Sequence, residues 1–371
     1  MDRKETLLQT LDRYRDLGIA DQMNYQKFNL FSLVTHSAAM AGSTLNEIDT
    51  QLLCDENIPA INKSETEQHI NLDLKAAYEE IKRLMDERQD FSVDTLKNLS
   101  AIILKNTGKV YQSPTGIFDA SKGDLRLMNI TAGVGGNTFI NYTMVADSLH
   151  LFCQQFNEKR ERLLTSTDSY EKYMGTFEIA YLLESIHPWA EGNGRMARLL
   201  MNGLQGILQL IPSVVRRENK AGYLSAFRRS REEASPIAFQ EFMVEEHIKN
   251  LQDEIDNYMK FKYFNPIEDK NKLSEPQDEP QIVKDNEPHD NINEPHKKQG
   301  EPQSTSVNEP QRKDLEDLIL SCIENNNKIT REELAEITGT SLSTIKRRLK
   351  NLGDQVVYIG SGYSGHWELK N

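Results

Sequence analysis

Helix-period runs of apolar residues dominate the first two-thirds of the chain. Phe28, Phe31, Leu33 and Val34 fall on one helical face, as do Ala76, Ala77, Ile81 and Leu84, and then Leu149, Phe152 and Phe156. From Met174 to Ile186 the sequence is apolar nearly all round, which predicts a central, buried helix. Pro188 ends it, because proline disfavours helical geometry in the residue before it. A second buried helix is predicted where Met196, Leu199, Leu200, Gly203, Leu204 and Ile207 recur at offsets of three and four. One stretch departs from this period. Residues Gly123 to Ile140 alternate loosely, and Gly133, Gly135 and Gly136 supply a turn, so a β-hairpin is expected among the helices.

The pattern divides the chain into three parts. Residues 1–265 read as one helical domain. In residues 266–312 the dipeptide Glu-Pro recurs at Glu275, Glu279, Glu287, Glu294, Glu301 and Glu309, with few apolar residues between. Such a segment cannot offset its chain entropy by burial, and it reads as an extended acidic tether. His289 and His296 within it do not make a metal tract, since a proline-broken chain holds no fixed ligand geometry. Residues 313–371 read as a compact module. Leu315, Leu318, Ile319 and Cys322 mark one helix, and Thr330 to Glu333 form a capping box that opens a second. Gly339 stops that helix, and Ser341 or Ser343 starts a third bearing Ile345, Leu349 and Leu352. Val356–Ile359 and His366–Leu369 then read as two strands joined by a Gly/Ser loop. The order of helix, helix-turn-helix and two-stranded wing resembles a winged helix.

Composition narrows the function. The 371 residues carry a formal net charge of −13, which argues against a general polyanion binder while leaving room for a local basic patch. A hydrophobic fraction of 37% with 27% charged residues agrees with part of the chain being unpacked. No N-terminal segment looks like a signal peptide, and no apolar run reaches the length of about 18 residues expected of a membrane span. A cytoplasmic protein with no membrane partner is expected. Cys54, Cys153 and Cys322 are scattered without metal-ligand spacing, and they read as buried free thiols in a reducing compartment.

The chemistry concentrates in His187-Pro-Trp-Ala-Glu191-Gly192-Asn193-Gly194-Arg195 and in Arg198. A helix N-terminus after a glycine-rich turn presents free N–H groups and partial positive charge to phosphate oxygens. Gly192 and Gly194 allow unusual backbone angles and close approach. Arg195 and Arg198, at i and i+3, project from one side of a helix whose apolar stripe is already used, and two guanidiniums leaving such a helix call for anions. Glu191 is a candidate Mg²⁺ ligand. His187, with an ordinary pKa near about 6.5, is a candidate general base.

This run resembles the signature of the Fic family, His-Pro-Phe-x-Asp/Glu-Gly-Asn-Gly-Arg-x-x-Arg, matched at every fixed position except Trp189, which replaces Phe. The resemblance extends over roughly residues 1 to 250. It implies a mainly α fold, a Fic-type helical domain whose hairpin is the flap that clamps a target segment by strand addition. It also implies transfer of AMP from ATP to a Ser, Thr or Tyr hydroxyl of a target protein or of the chain itself. His187 would take the hydroxyl proton; Glu191 with Mg²⁺, and Gly192, Asn193, Gly194 and Arg195, would hold the phosphates. Homodimers are common in members with this architecture.

Many Fic proteins silence themselves with a Ser/Thr-x-x-x-Glu-Gly/Asn helix whose Glu pairs with the second arginine. Ser37 and Gly42 match that element, and Ala41 stands in the place of the Glu. Read this way, Arg198 is free for the γ-phosphate and the chain is de-inhibited. The other reading is an alanine-rich helix end with a glycine cap. Glu47 is a nearby acid that would have to act from beyond Gly42. Lys346, Arg347, Arg348 and Lys350, with no acid between them, make the third tail helix a candidate DNA-recognition helix, although Glu332, Glu333 and Glu336 lie on its neighbour. Protein docking or dimerisation is the alternative for this module. A DNA-binding regulator that uses the Fic domain as a nucleotide sensor, and transfer of another nucleotide or phosphocholine, stay open as alternatives for the whole.

Overall fold

Two adjacent helices organise the rest, as the apolar runs predict. The computed structural model describes residues 2–131 and 138–264, and in the tail 316, 318–320, 322–323, 329–338, 340, 342–352, 355–359 and 366–369. The acidic tract 266–312 lies outside the described residues.

Helix α1 (Arg3–Asp16), α2 (Tyr25–Met40), α3 (Glu47–Glu56), α4 (Glu65–Asp86) and α5 (Val93–Ile103) come first. A two-stranded hairpin follows, β1 (Val110–Ser113) and β2 (Gly116–Asp119), paired antiparallel with Tyr111 opposite Phe118. Then come α6 (Val145–Thr165), α7 (Ser169–Ile186), α8 (Asn193–Ile207), α9 (Lys220–Glu232) and α10 (Ile237–Phe264). Helix α7 starts where the Asp168 carboxylate accepts from the Tyr170 and Glu171 amides, an N-cap of the expected type. Helices α7 and α8 pack on one another; α4, α5 and α2 lie against α8, and α6, α10 and α1 against α7. The shared core runs through Phe177, Leu183, Leu199, Leu200 and Leu204, all inaccessible to solvent. Gly203 allows α8 to approach α4: a Cβ there would stand 2.6 Å from Ile81 Cγ1.

Among the described residues, the expected hairpin over 123–140 is seen at its base. Thr131 and Thr138 form an antiparallel bridge, the Phe139 amide donates to the Ile130 carbonyl, and the turn glycines lie outside the described residues. Residues 124–130 form no ladder. Arg126, 1% exposed, turns inward there and donates to the carbonyls of Met128 and Ile140.

The tail is a separate unit. It is helical at 316, 318–320, 322 and 323, and continues through α11 (Arg331–Ile337), α12 (Leu342–Asn351) and an antiparallel pair, β3 (Val356–Ile359) with β4 (His366–Leu369). Ile319, Leu334, Ile345, Leu349 and Trp367 close its core, and the Trp367 indole donates to the Ile329 carbonyl at 2.8 Å. This is the winged-helix order read from the sequence. All three cysteines are free, with Cys153 buried and Cys54 and Cys322 half-buried. No described helix is long and apolar enough to cross a membrane.

Candidate active site

The site forms where α7 hands over to α8. His187 caps α7 in the left-handed conformation, φ 53°, and its amide still donates to the Leu183 carbonyl. Trp189 is fully buried and its indole N–H reaches the Gly123 carbonyl at 3.1 Å. Glycine is required at 123 on other grounds, since φ is +73° and a Cβ would stand 2.0 Å from the Lys97 carbonyl. The large aromatic that replaces Phe thus satisfies its own polar atom. Asn193 uses its side chain on the turn: Oδ1 accepts the Trp189 amide and Nδ2 donates to the Trp189 carbonyl. Its side-chain oxygen and one of its two side-chain N–H groups are thereby committed to the turn. Gly192, at φ +82°, is the N-cap of α8, so the first amides of that helix have no carboxylate or hydroxyl cap.

Around this N-terminus stand the predicted residues. Arg195 is 7% exposed, and its Nη1 donates to the Ile103 carbonyl at 3.3 Å; burial lowers its pKa to about 10. Arg198 is 5% exposed and is held by α2: Nε donates to Ser37 Oγ at 3.0 Å and Nη2 to the Ser37 carbonyl at 3.2 Å. Neither arginine is splayed into solvent. Glu191 Oε1 accepts from the Lys109 amide at 3.2 Å and from the Tyr111 hydroxyl at 3.1 Å. Among the described residues no three His, Cys, Asp or Glu side chains gather as a metal site. A single carboxylate does fit Mg²⁺, which is commonly held by one or two carboxylates plus substrate phosphates.

The His187 ring stacks on Phe139 of the hairpin base, centroids 3.8 Å apart and planes 19° apart. Arg231 of α9 sits over the same Phe139 ring at 4.4 Å and donates to the Thr138 carbonyl. His187 Nδ1 is buried with no hydrogen-bond partner among the described residues. Desolvation is the main reason its pKa falls to about 4, helped by the charges of Arg126 and Arg231 and opposed by a hydrogen bond to the Glu184 backbone. The imidazole is therefore neutral at physiological pH. Arg126 fixes its backbone, donating through Nε to the His187 carbonyl at 2.7 Å, while its amide donates to the Pro188 carbonyl.

Of the regulatory positions, Ser37 sits on Arg198, as described. Ala41 caps α2 and is exposed, and Gly42 follows at φ +110°. The end of α2 is tied down by Lys220, whose Nζ donates to the Met40 carbonyl at 2.8 Å. Glu47 is spent on His36, at 3.3 Å, and does not take the place of a carboxylate at position 41.

Sequence reasoning missed Tyr111, Arg126, Phe139 and Arg231. Tyr111 had a visible signal, the Ser113-Pro114-Thr115-Gly116 turn between β-prone residues. The others touch the site through backbone carbonyls and ring faces, which leave no spacing to read. In the tail, Arg348 is not part of a free basic face: it pairs with Glu316 at 2.9 Å and is largely buried. Lys346, Arg347 and Lys350 are exposed. The side chains of Glu332, Glu333 and Glu336 lie outside the described ones.

A helical core with an arginine-lined helix N-terminus and a histidine at its mouth defines a class, and the comparisons agree with it. Residues 90–204 match the Fic/DOC family, and residues 317–355 match the winged helix-turn-helix DNA-binding family. The chain is 26% identical over 190 residues to a protein named protein adenylyltransferase Fic from Aedes aegypti. That alignment covers 51% of this chain but only 35% of the relative's own length. A Fic domain-containing signalling protein from Bacteroides thetaiotaomicron superposes with a TM-score of 0.57 at 17% identity, covering 69% of this chain and 97% of that one. Fic-1 from C. elegans gives 0.54 at 20% identity, covering 70% and 73%. Residues 90–204 are thus similar to the Fic/DOC family, and residues 317–355 to the winged helix-turn-helix family.

Proposed function

We propose that the chain transfers AMP from ATP to a Ser, Thr or Tyr hydroxyl of a target protein or of itself. The observation that supports this best is the buried His187 imidazole, stacked on Phe139, beside an uncapped helix N-terminus flanked by two buried guanidiniums. The hydroxyl oxygen attacks the α-phosphorus, the bond to the bridging oxygen of pyrophosphate breaks, and the hydroxyl proton passes to His187. The α8 amides and Arg195 take the phosphate charge, and Arg198 takes that of the terminal phosphate. Glu191, kept in place by Tyr111 and the Lys109 amide, would hold Mg²⁺. That ion would neutralise charge on the leaving pyrophosphate. Positioning and charge stabilisation supply most of the catalysis in such a scheme.

In this reading Ala41 leaves Arg198 without an inhibitory carboxylate, and the chain is constitutively active. The test is incubation with α-labelled ATP and Mg²⁺, comparing the parent with His187→Ala. Label on protein that vanishes in the variant is the expected result. ATP binding with no transfer by the parent would favour the second reading, a DNA-binding regulator that senses nucleotide. That reading draws on the tail's family match and on exposed Lys346, Arg347 and Lys350.

A further inference from the structure

Arg198 has a surrounding that the Fic signature does not contain. Its bonds to Ser37 use Nε and Nη2, and Nη1 lies 3.1 Å from the point where a Cβ on Gly194 would stand. Glu184 Oε1 lies 3.6 Å from that same point. Glu184 is on α7, three residues before His187, and is 7% exposed. Its Oε2 accepts from the Tyr223 hydroxyl at 2.7 Å. Tyr223, from α9, is 1% exposed, and the Arg198 guanidinium lies over its ring at 5.9 Å. Glu184 is thus near enough to offset the buried charge, while its bonded oxygen is turned to Tyr223.

We propose that Glu184 and Tyr223 are positioning residues for Arg198. They hold its guanidinium at the α8 N-terminus for the terminal phosphate of a nucleoside triphosphate, and so make the site prefer triphosphates to monophosphates. The proposal rests on the reading of this cradle as an ATP site. Three features support it. A guanidinium buried without an anion is costly, and a carboxylate one layer behind lowers that cost without pairing with it directly. The Tyr223 hydroxyl occupies Glu184 and orients it, so the acid does not swing onto Arg198. Burial raises the pKa of Glu184 and the Arg198 charge opposes that rise, which ties the charge of the acid to the guanidinium beside it. Gly194 belongs to the same arrangement, because any side chain there would wedge between the two groups.

The experiment is calorimetric titration of the full chain with a non-hydrolysable ATP analogue and, separately, with AMP. Glu184→Gln keeps the acceptor for Tyr223 and removes the charge; Tyr223→Phe keeps the ring under Arg198 and removes the hydroxyl. The expected result for Glu184→Gln is analogue binding weakened about tenfold with AMP binding unchanged, and a smaller shift in the same direction for Tyr223→Phe. Analogue affinity equal to the parent's, or equal losses for analogue and AMP, overturns the proposal. If melting shows that Glu184→Gln does not fold, Tyr223→Phe decides by the same comparison. Arg198→Ala separates the two levels. A parent that favours the analogue over AMP, and loses that preference in Arg198→Ala but not in the Glu184 or Tyr223 variants, leaves the ATP reading standing and ends this one. A parent without the preference ends both.

Discussion

At the scale of single residues, His187 is more perturbed than its sequence suggests. An imidazole near its ordinary value would be half-protonated close to about pH 6.5, and a proton acceptor would lose half its capacity there. Stacking on Phe139 and burial beneath the hairpin base push the value to about 4. We expect the His187 ring signals in an NMR titration to stay those of the neutral form down to about pH 5 and to move near pH 4. A midpoint at the ordinary imidazole value would mean the ring is solvated and the stacked geometry wrong. The linkage has a definite sign. A base whose folded pKa is depressed contributes its full stability above about pH 6.5 and loses it as pH falls toward 4. The motif alone could not give this shift, because its causes are Phe139, Arg126 and Arg231, which lie far apart along the chain. What the motif did carry was the turn itself: Gly192 at positive φ, and a buried aromatic at 189.

At the scale of elements, the end of α2 is the part that sets whether Arg198 is available. Ser37 holds Arg198 from one turn before position 41, and residues four apart share a helical face. Lys220 fixes that end through the Met40 carbonyl, and a Cβ at Gly42 would meet nothing within 4 Å. Ala41 is itself exposed, so a larger side chain there has room. Ala41→Glu is expected to lower labelling from ATP by about tenfold or more, in line with a charge-assisted pair competing for the same guanidinium. Affinity for ATP should fall, with AMP unaffected. Unchanged labelling and unchanged ATP affinity would end this account of α2. The elements themselves are legible to different degrees. α7 and α8 announce themselves because a helix buried all round needs apolar residues all round. The β1–β2 pair does not, since four-residue strands with Val110 and Ile117 exposed carry almost no burial pattern. The 123–140 segment is legible at its base, where Thr131 and Thr138 bridge antiparallel, while its inward Arg126 leaves no trace in the alternation.

At the scale of the whole molecule, net charge limits what the chain can bind. The formal charge of −13 makes general attraction to nucleic acid unfavourable, so any DNA affinity has to come from a small, local set of cations. In the tail that set is Lys346, Arg347 and Lys350, all on α12 and all exposed. Arg348 belongs to a different group: it is tied to Glu316 and helps hold the first helical stretch against α12. The basic run reads as four equivalent charges in the sequence because the helical spacing that turns Arg348 inward places it in register with Ile345 and Leu349. The two groups therefore part under mutation. Replacing Lys346, Arg347 and Lys350 with alanine should flatten the dependence of duplex-DNA binding on salt, by up to about 0.9 in log–log slope for each phosphate the helix no longer neutralises. Arg348→Ala should instead lower the melting temperature of the tail and leave that slope near the parent's. ATP labelling by the triple variant should equal the parent's, since its substitutions lie outside the helical unit that carries His187. Equal slopes for the triple variant and the parent would show that α12 does not meet phosphates, and would leave the tail to act by binding protein.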